Sequence, residues 1–190
     1  MDYLIILIST ILINNIVLAK FLGICPFLGV SKSSSTAVGM GAAVIFVMVL
    51  STIMTWLVYA YLLVPLHIEY LQTVTYILVI AFLVQVVEIV LKKVSPDLYQ
   101  ALGVYLPLIT TNCTILGVAI LVIQNDFTLM KSVVFAIGNS VGFTLAIAIF
   151  SSIREQLDTV DMPDFIKGIP AALITASILS MAFMGLSSMV

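Results

Sequence analysis

The hexapeptide Cys25-Pro26-Phe27-Leu28-Gly29-Val30 returns later in the chain as Cys113-Thr114-Ile115-Leu116-Gly117-Val118, and these copies hold the two cysteines of the sequence. Both lie deep in apolar sequence and follow residues that interrupt helices. In the first copy Gly23 loosens the helix, while Pro26 disfavours helical geometry at Cys25 and is itself suited to begin a new helix. Cys25 is thus expected at the N-cap of a short second helical piece. The second copy follows Gly103, Pro107 and the polar run Thr110-Thr111-Asn112. Asn112 is a good N-cap, which puts Cys113 in a first turn. A helix N-terminus offers free N–H groups and a partial positive charge, a setting that suits thiolates holding a metal.

Composition fixes the class. Of 190 residues, 63% are hydrophobic and 8% charged, and the mean hydropathy is +1.30. Soluble domains carry about a quarter charged residues, so this chain lacks the means to build a water-facing surface. Charge-free runs long enough to cross a bilayer recur, as in a polytopic helical membrane protein. The net charge of −2 gives no sign of nucleic-acid binding. The N-terminal Met1-Asp2-Tyr3 lacks the basic region of a secretory signal, so the first apolar run is read as a retained helix. The cysteines form neither a disulfide framework nor a C-x-x-C pair.

Hydropathy predicts an all-α integral membrane protein with six transmembrane helices, at roughly 3–22, 36–63, 70–91, 98–123, 132–153 and 168–189. Lys32, Lys92, Lys93, Arg154 and Lys167 fall in the loops after the first, third and fifth spans, and only Lys131 lies opposite. Basic residues favour the cytoplasm, so both termini are expected outside. Six helices divide into two inverted three-helix repeats, about 1–93 and about 94–190, in a single transmembrane domain spanning 1–190. The cysteine segments interrupt helices 1 and 4, the matching helix of each half. Gly39 and Gly41 in the second span correspond loosely to Gly138 and Gly142 in the fifth. Paired interrupted helices in inverted repeats mark a site near the midplane.

Free cysteines are often small buried hydrophobes. Repetition at equivalent, helix-broken positions favours ligands instead. Two thiolates complete neither a tetrahedral metal site nor a four-cysteine iron–sulfur site, so another chain must supply the rest.

The strings NNIVLAKFLGICPFLGVSK (14–32) and YLPLITTNCTILGVAIL (105–121) resemble those of the A subunits of Rnf complexes, and are similar to the E subunit of the sodium-pumping NADH:quinone oxidoreductase. The resemblance spans essentially the whole chain. It implies a paralogous Rnf E subunit inserted in the opposite orientation, with a [2Fe–2S] cluster held inside the membrane by two cysteines from each protein. Cys25 and Cys113 match those positions. It also implies a bacterial cytoplasmic (inner) membrane and electron transfer between ferredoxin and NAD coupled to Na⁺ or H⁺ transport. Flavins, NAD and ferredoxin would bind the other Rnf subunits; this chain has no Gly-rich dinucleotide motif.

Other polar residues within the spans have structural readings beside functional ones. Glu88 is a candidate for an ion path, set against pairing with Lys92 one turn on. Lys20 is expected to snorkel, or to offset the charge of an anionic cluster. Thr110, Thr111 and Asn112 adjoin Cys113, where hydrogen bonds to sulfur would set the cluster's potential. Asn14, Asn15, Gln85 and Asn139 suit interhelical bonds, and Gly138-x-x-x-Gly142 suits helix packing. Two other functions fit the same pattern, a non-redox inverted-repeat transporter and a scaffold for other subunits.

Overall fold

The computed structural model describes residues 6–13, 15–31, 34–94, 108–109, 111–160, 163 and 167–187. All regular structure among them is helical. A wide π-helical turn at Ser9–Ile13 leads into α1 (Ile16–Lys20), α2 (Ile24–Val30), α3 (Ser34–Val58), α4 (Gln72–Val94), α5 (Cys113–Gln124), α6 (Leu129–Leu157) and α7 (Ile169–Ser187). Beyond α3 the helix continues through a π-helical turn at Tyr59–Leu63 into Val64–Leu66 and ends at His67, whose φ is 54°.

Among the described residues three helices are long and apolar enough to cross a membrane: Thr36–Leu66, Gln72–Val90 and Leu129–Leu157. The first has 31 residues, about 46 Å at 1.5 Å per residue, which a hydrocarbon core of about 30 Å accommodates by tilt. The expected spans 36–63, 70–91, 132–153 and 168–189 correspond to the Thr36–Leu66 rod, α4, α6 and α7, with ends moved by a few residues. The expected span 3–22 is no single rod. Asn15 breaks it by capping α1, and Phe21 closes α1 with a φ of 53°. The first part of the expected span 98–123, with Gly103 and Pro107, lies outside the described residues, and its second part is α5.

Antiparallel α3 and α6 form the centre. Ser34 Oγ donates to Glu155 Oε2 at 2.8 Å, Gly41 meets the Thr144 side chain, and Trp56 Nε1 donates to the Phe127 carbonyl at 3.1 Å. Gly41 leaves no room for a Cβ against Thr144, and that closeness brings the two backbones together. Met40, Val44 and Met48 of α3 and Phe143, Ile147 and Phe150 of α6 are buried in the common core. Gly138 and Gly142 take the N-terminal segment, against Thr10 and Leu7 and against Asn15 and Ile11. That is the packing role expected of the G-x-x-x-G. Polarity runs opposite to a soluble protein: Val74, Leu78, Phe82 and Val86 of α4 face outward, while Ser51, Thr52, Thr55, Asn139, Ser140 and Ser151 are buried. Many buried hydroxyls bond back to their own helix, as Thr52 Oγ1 does to the Met48 carbonyl at 2.8 Å.

Candidate metal-ligand site: two cysteine segments in contact

The first segment is set by two left-handed residues in close succession, Phe21 at φ 53° and Gly23 at φ 86°. Between them the chain leaves α1 and begins α2, and the Leu18 carbonyl near the end of α1 accepts from Ser180 Oγ at 2.6 Å. Gly23, not Cys25, is the N-cap of α2. Cys25 lies in the first turn. The helix begins upstream of the expected point because Pro26 needs no hydrogen-bond donor there: first-turn N–H groups have no intrahelical acceptor. Glycine at 23 serves twice, since its φ favours glycine and a Cβ would collide with Thr114 Oγ1.

The second segment follows its sequence reading. Asn112 is the N-cap of α5, its Oδ1 accepting from Thr114 N at 3.0 Å, and Cys113 is the first helical residue. Asn15 does the same at the head of α1, accepting from Val17 N at 3.1 Å. The two caps differ at the other amide atom. Asn15 Nδ2 donates to the Gly142 carbonyl at 2.8 Å, the interhelical bond expected of it. Among the described residues Asn112 Nδ2 is buried without a partner, and so is Thr114 Oγ1.

The two segments meet. Gly23 N donates to Cys113 Sγ at 2.8 Å, across 90 positions of sequence. Gly29 lies against Leu108, Gly23 against Asn112 and Thr114, and Gly117 against Leu22 and Ile16. As residue number rises in one segment it falls in the other, so they run antiparallel. Cys25 is exposed and Cys113 partly buried, both as free thiols. Cys25 lines a cavity of about 730 Å³ with Leu28, Gly29, Arg154, Asp158, Gly168 and Ile169.

Among the described residues no three His, Cys, Asp or Glu side chains converge. A metal at these sulfurs therefore needs ligands from elsewhere. The surroundings fit an anionic sulfur ligand set. A backbone N–H already points at one sulfur, and two buried donors, the Asn112 amide and the Thr114 hydroxyl, lack acceptors.

The other expected site residues scatter. Thr111 is exposed in the turn before Asn112, and Thr110, with Asn14, lies outside the described residues. Lys20 is exposed and lines a separate cavity of about 320 Å³ with Ser9, Thr10, Asn125 and Asn139. Glu88 is half-buried in α4, one turn before exposed Lys92, away from both cysteine segments in sequence. Gln85 is exposed, and Asn139 Nδ2 bonds to Phe135 of its own helix at 2.9 Å rather than across helices.

One residue read as a loop charge belongs to this site. Arg154 is inside α6, 7% exposed, and its Nη1 donates to the Leu28 carbonyl at 2.8 Å and to Ser31 Oγ at 2.9 Å. Hydropathy ends the fifth span at 153 because the Arg-Glu-Gln that follows is polar. The signal that would have placed it is Ser151-Ser152-Ile153-Arg154, helix-compatible sequence with no breaker before Leu157.

A helical membrane protein with a pair of thiols on antiparallel, helix-broken segments is the class that fold and site define. The chain belongs to the Rnf-Nqr family: residues 3–190 match the family described as "Rnf-Nqr subunit, membrane protein". It is 54% identical over 189 residues to the A subunit of the Na(+)-translocating ferredoxin:NAD(+) oxidoreductase complex of Acetobacterium woodii, covering 100% of this chain and 98% of that protein. The A subunit of an ion-translocating oxidoreductase complex from Syntrophotalea carbinolica is 54% identical with the same coverage. Its namesake in Vibrio vulnificus is 50% identical, again over 100% and 98%.

Proposed function

We propose that the chain is the A subunit of an ion-translocating ferredoxin:NAD⁺ oxidoreductase, one membrane part of a redox-driven translocase with no complete active site of its own. Cys25 and Cys113 ligate a [2Fe–2S] cluster completed by two cysteines of the paralogous E subunit. The observation that carries this reading is the 2.8 Å bond from Gly23 N to Cys113 Sγ, which brings the two cysteine-bearing segments together. The full-length likeness to the A subunits of ion-translocating oxidoreductases supports the Rnf assignment over the equivalent quinone-reductase component.

When bound, such a cluster takes up and passes on single electrons. The chain's own residues prepare its place. Gly23 N–H stabilises negative charge on Cys113 Sγ, and Asn112 and Thr114 keep two donors in reserve beside it. Exposed Cys25 faces outward, where a second protein has access. Antiparallel contact between the segments supports six spans arranged as inverted repeats, and that arrangement puts the site between the halves. The protein is set in the cytoplasmic membrane of a bacterium, with both termini outside. The transported ion is Na⁺ or H⁺; the name of the Acetobacterium relative favours Na⁺.

The test is to purify this chain with its E partner and, separately, alone. The pair is expected to contain two iron atoms per heterodimer with a paramagnetic signal on reduction, and the chain alone none. An iron-free pair overturns the reading and leaves a non-redox transporter or a scaffold.

A further inference from the structure

Helix α2, which carries Cys25, has seven residues. An isolated helix needs about 12–15 residues to be even marginally stable in water, so α2 is held by what touches it. Two contacts hold it from α6. Phe27 stacks on Phe150 with ring centroids 4.2 Å apart. Arg154 reaches the end of the helix, where the last carbonyls have no intrahelical donor, and binds the Leu28 carbonyl and Ser31 Oγ. An arginine residue only 7% exposed would be costly if its bonds were few, and among the described residues neither bond is to a carboxylate. Among the described residues, its positive charge is thus not neutralised at the contact. Asp158 lines the same cavity, but it is exposed and screened by water.

We propose that Arg154 is the positioning residue for the Cys25 ligand. Its two bonds fix the end of α2 and hence the direction of Cys25, and its charge beside the shared cavity favours the more negative, reduced state of whatever Cys25 binds. This inference rests on the reading of Cys25 as a cluster ligand. The clamp itself is a property of the polypeptide and is measurable without the cluster.

The experiment uses the intact complex with Arg154→Gln, Arg154→Lys and Ser31→Ala, and two readouts. Hydrogen–deuterium exchange reports the α2 amides, and a redox titration followed by electron paramagnetic resonance reports the cluster midpoint. Arg154→Gln is expected to speed exchange in residues 27–31 by roughly tenfold or more, as suits loss of two bonds from a charged donor, and to lower the midpoint. Arg154→Lys keeps the charge but not the reach, so exchange rises while the midpoint stays near that of the wild type. Ser31→Ala removes one acceptor, and its exchange falls between wild type and Arg154→Gln even if the glutamine variant fails to assemble. Unchanged exchange in Arg154→Lys and Ser31→Ala overturns the clamp. An unchanged midpoint in an assembled Arg154→Gln complex overturns the electrostatic role. A wild-type complex with no cluster defeats the ligand reading instead, and the exchange rates still decide the clamp.

Discussion

The two cysteine segments carry the same hexapeptide pattern yet are built by different means. The first depends on glycine: α2 starts at Gly23 in the left-handed region, is seven residues long, and presents an exposed Cys25. The second depends on asparagine: α5 starts at a side-chain cap, runs twelve residues, and keeps Cys113 partly buried. The longer helix has its own first-turn bond and a packed face through Ile115, Val118, Ala119 and Val122. The shorter one borrows stability from α6 through Phe150 and Arg154. A repeat at the level of sequence is thus one anchored thiol and one held at the end of a supported arm. Such an arm suits the sulfur that must meet a second protein.

Gly23→Val should break the comparison most severely. It puts a Cβ into Thr114 Oγ1 and a β-branched residue at φ 86°, and a cost of roughly 3 kcal/mol or more is expected. Thermal unfolding of the purified chain in detergent checks it, with loss of assembly the expected outcome in the complex.

The paired caps give the next effect. Asn15→Ser keeps the cap but loses the buried bond to Gly142, and should destabilise by about 1–2 kcal/mol. Asn112→Ser keeps its cap and removes an amide nitrogen that has no partner, so the chain alone should change by less than about 0.5 kcal/mol. In the complex, the same Asn112→Ser variant should lower the cluster midpoint, because a donor beside the sulfur is gone. Equal destabilisation by the two serines would show that the caps are not different. The smallest effect is expected from Thr114→Val in the chain alone. It deletes an unpartnered hydroxyl at constant shape, and melting should stay within about 0.5 kcal/mol of wild type.

The long helices were legible because hydropathy responds to a whole segment at once, whereas in the expected span 3–22 the cap at Asn15 and the left-handed Phe21 break the rod. Thr36–Leu66, α4, α6 and α7 are where the composition puts them. Asn112 was legible too, since a cap acts within three residues of itself. The misreadings have tertiary causes. Cys25 sits inside the first turn because Pro26 is tolerated where donors are idle, and Gly23 is pinned by Thr114 from the other half of the chain. Arg154 reads as a loop charge because its partners, the Leu28 carbonyl and the Ser31 hydroxyl, are more than a hundred positions away. Asn139 reads as an interhelical residue, yet its amide finds an acceptor one turn back on α6.

The central claim is that both sulfurs of this chain bind one shared cluster. Electron paramagnetic resonance of the reduced heterodimer tests it most directly, with Cys25→Ser and Cys113→Ser compared against wild type at equal assembly. The account predicts that each serine alone abolishes or strongly alters the cluster signal and lowers iron in step. Two variants that assemble and keep the wild-type signal and iron content would contradict it.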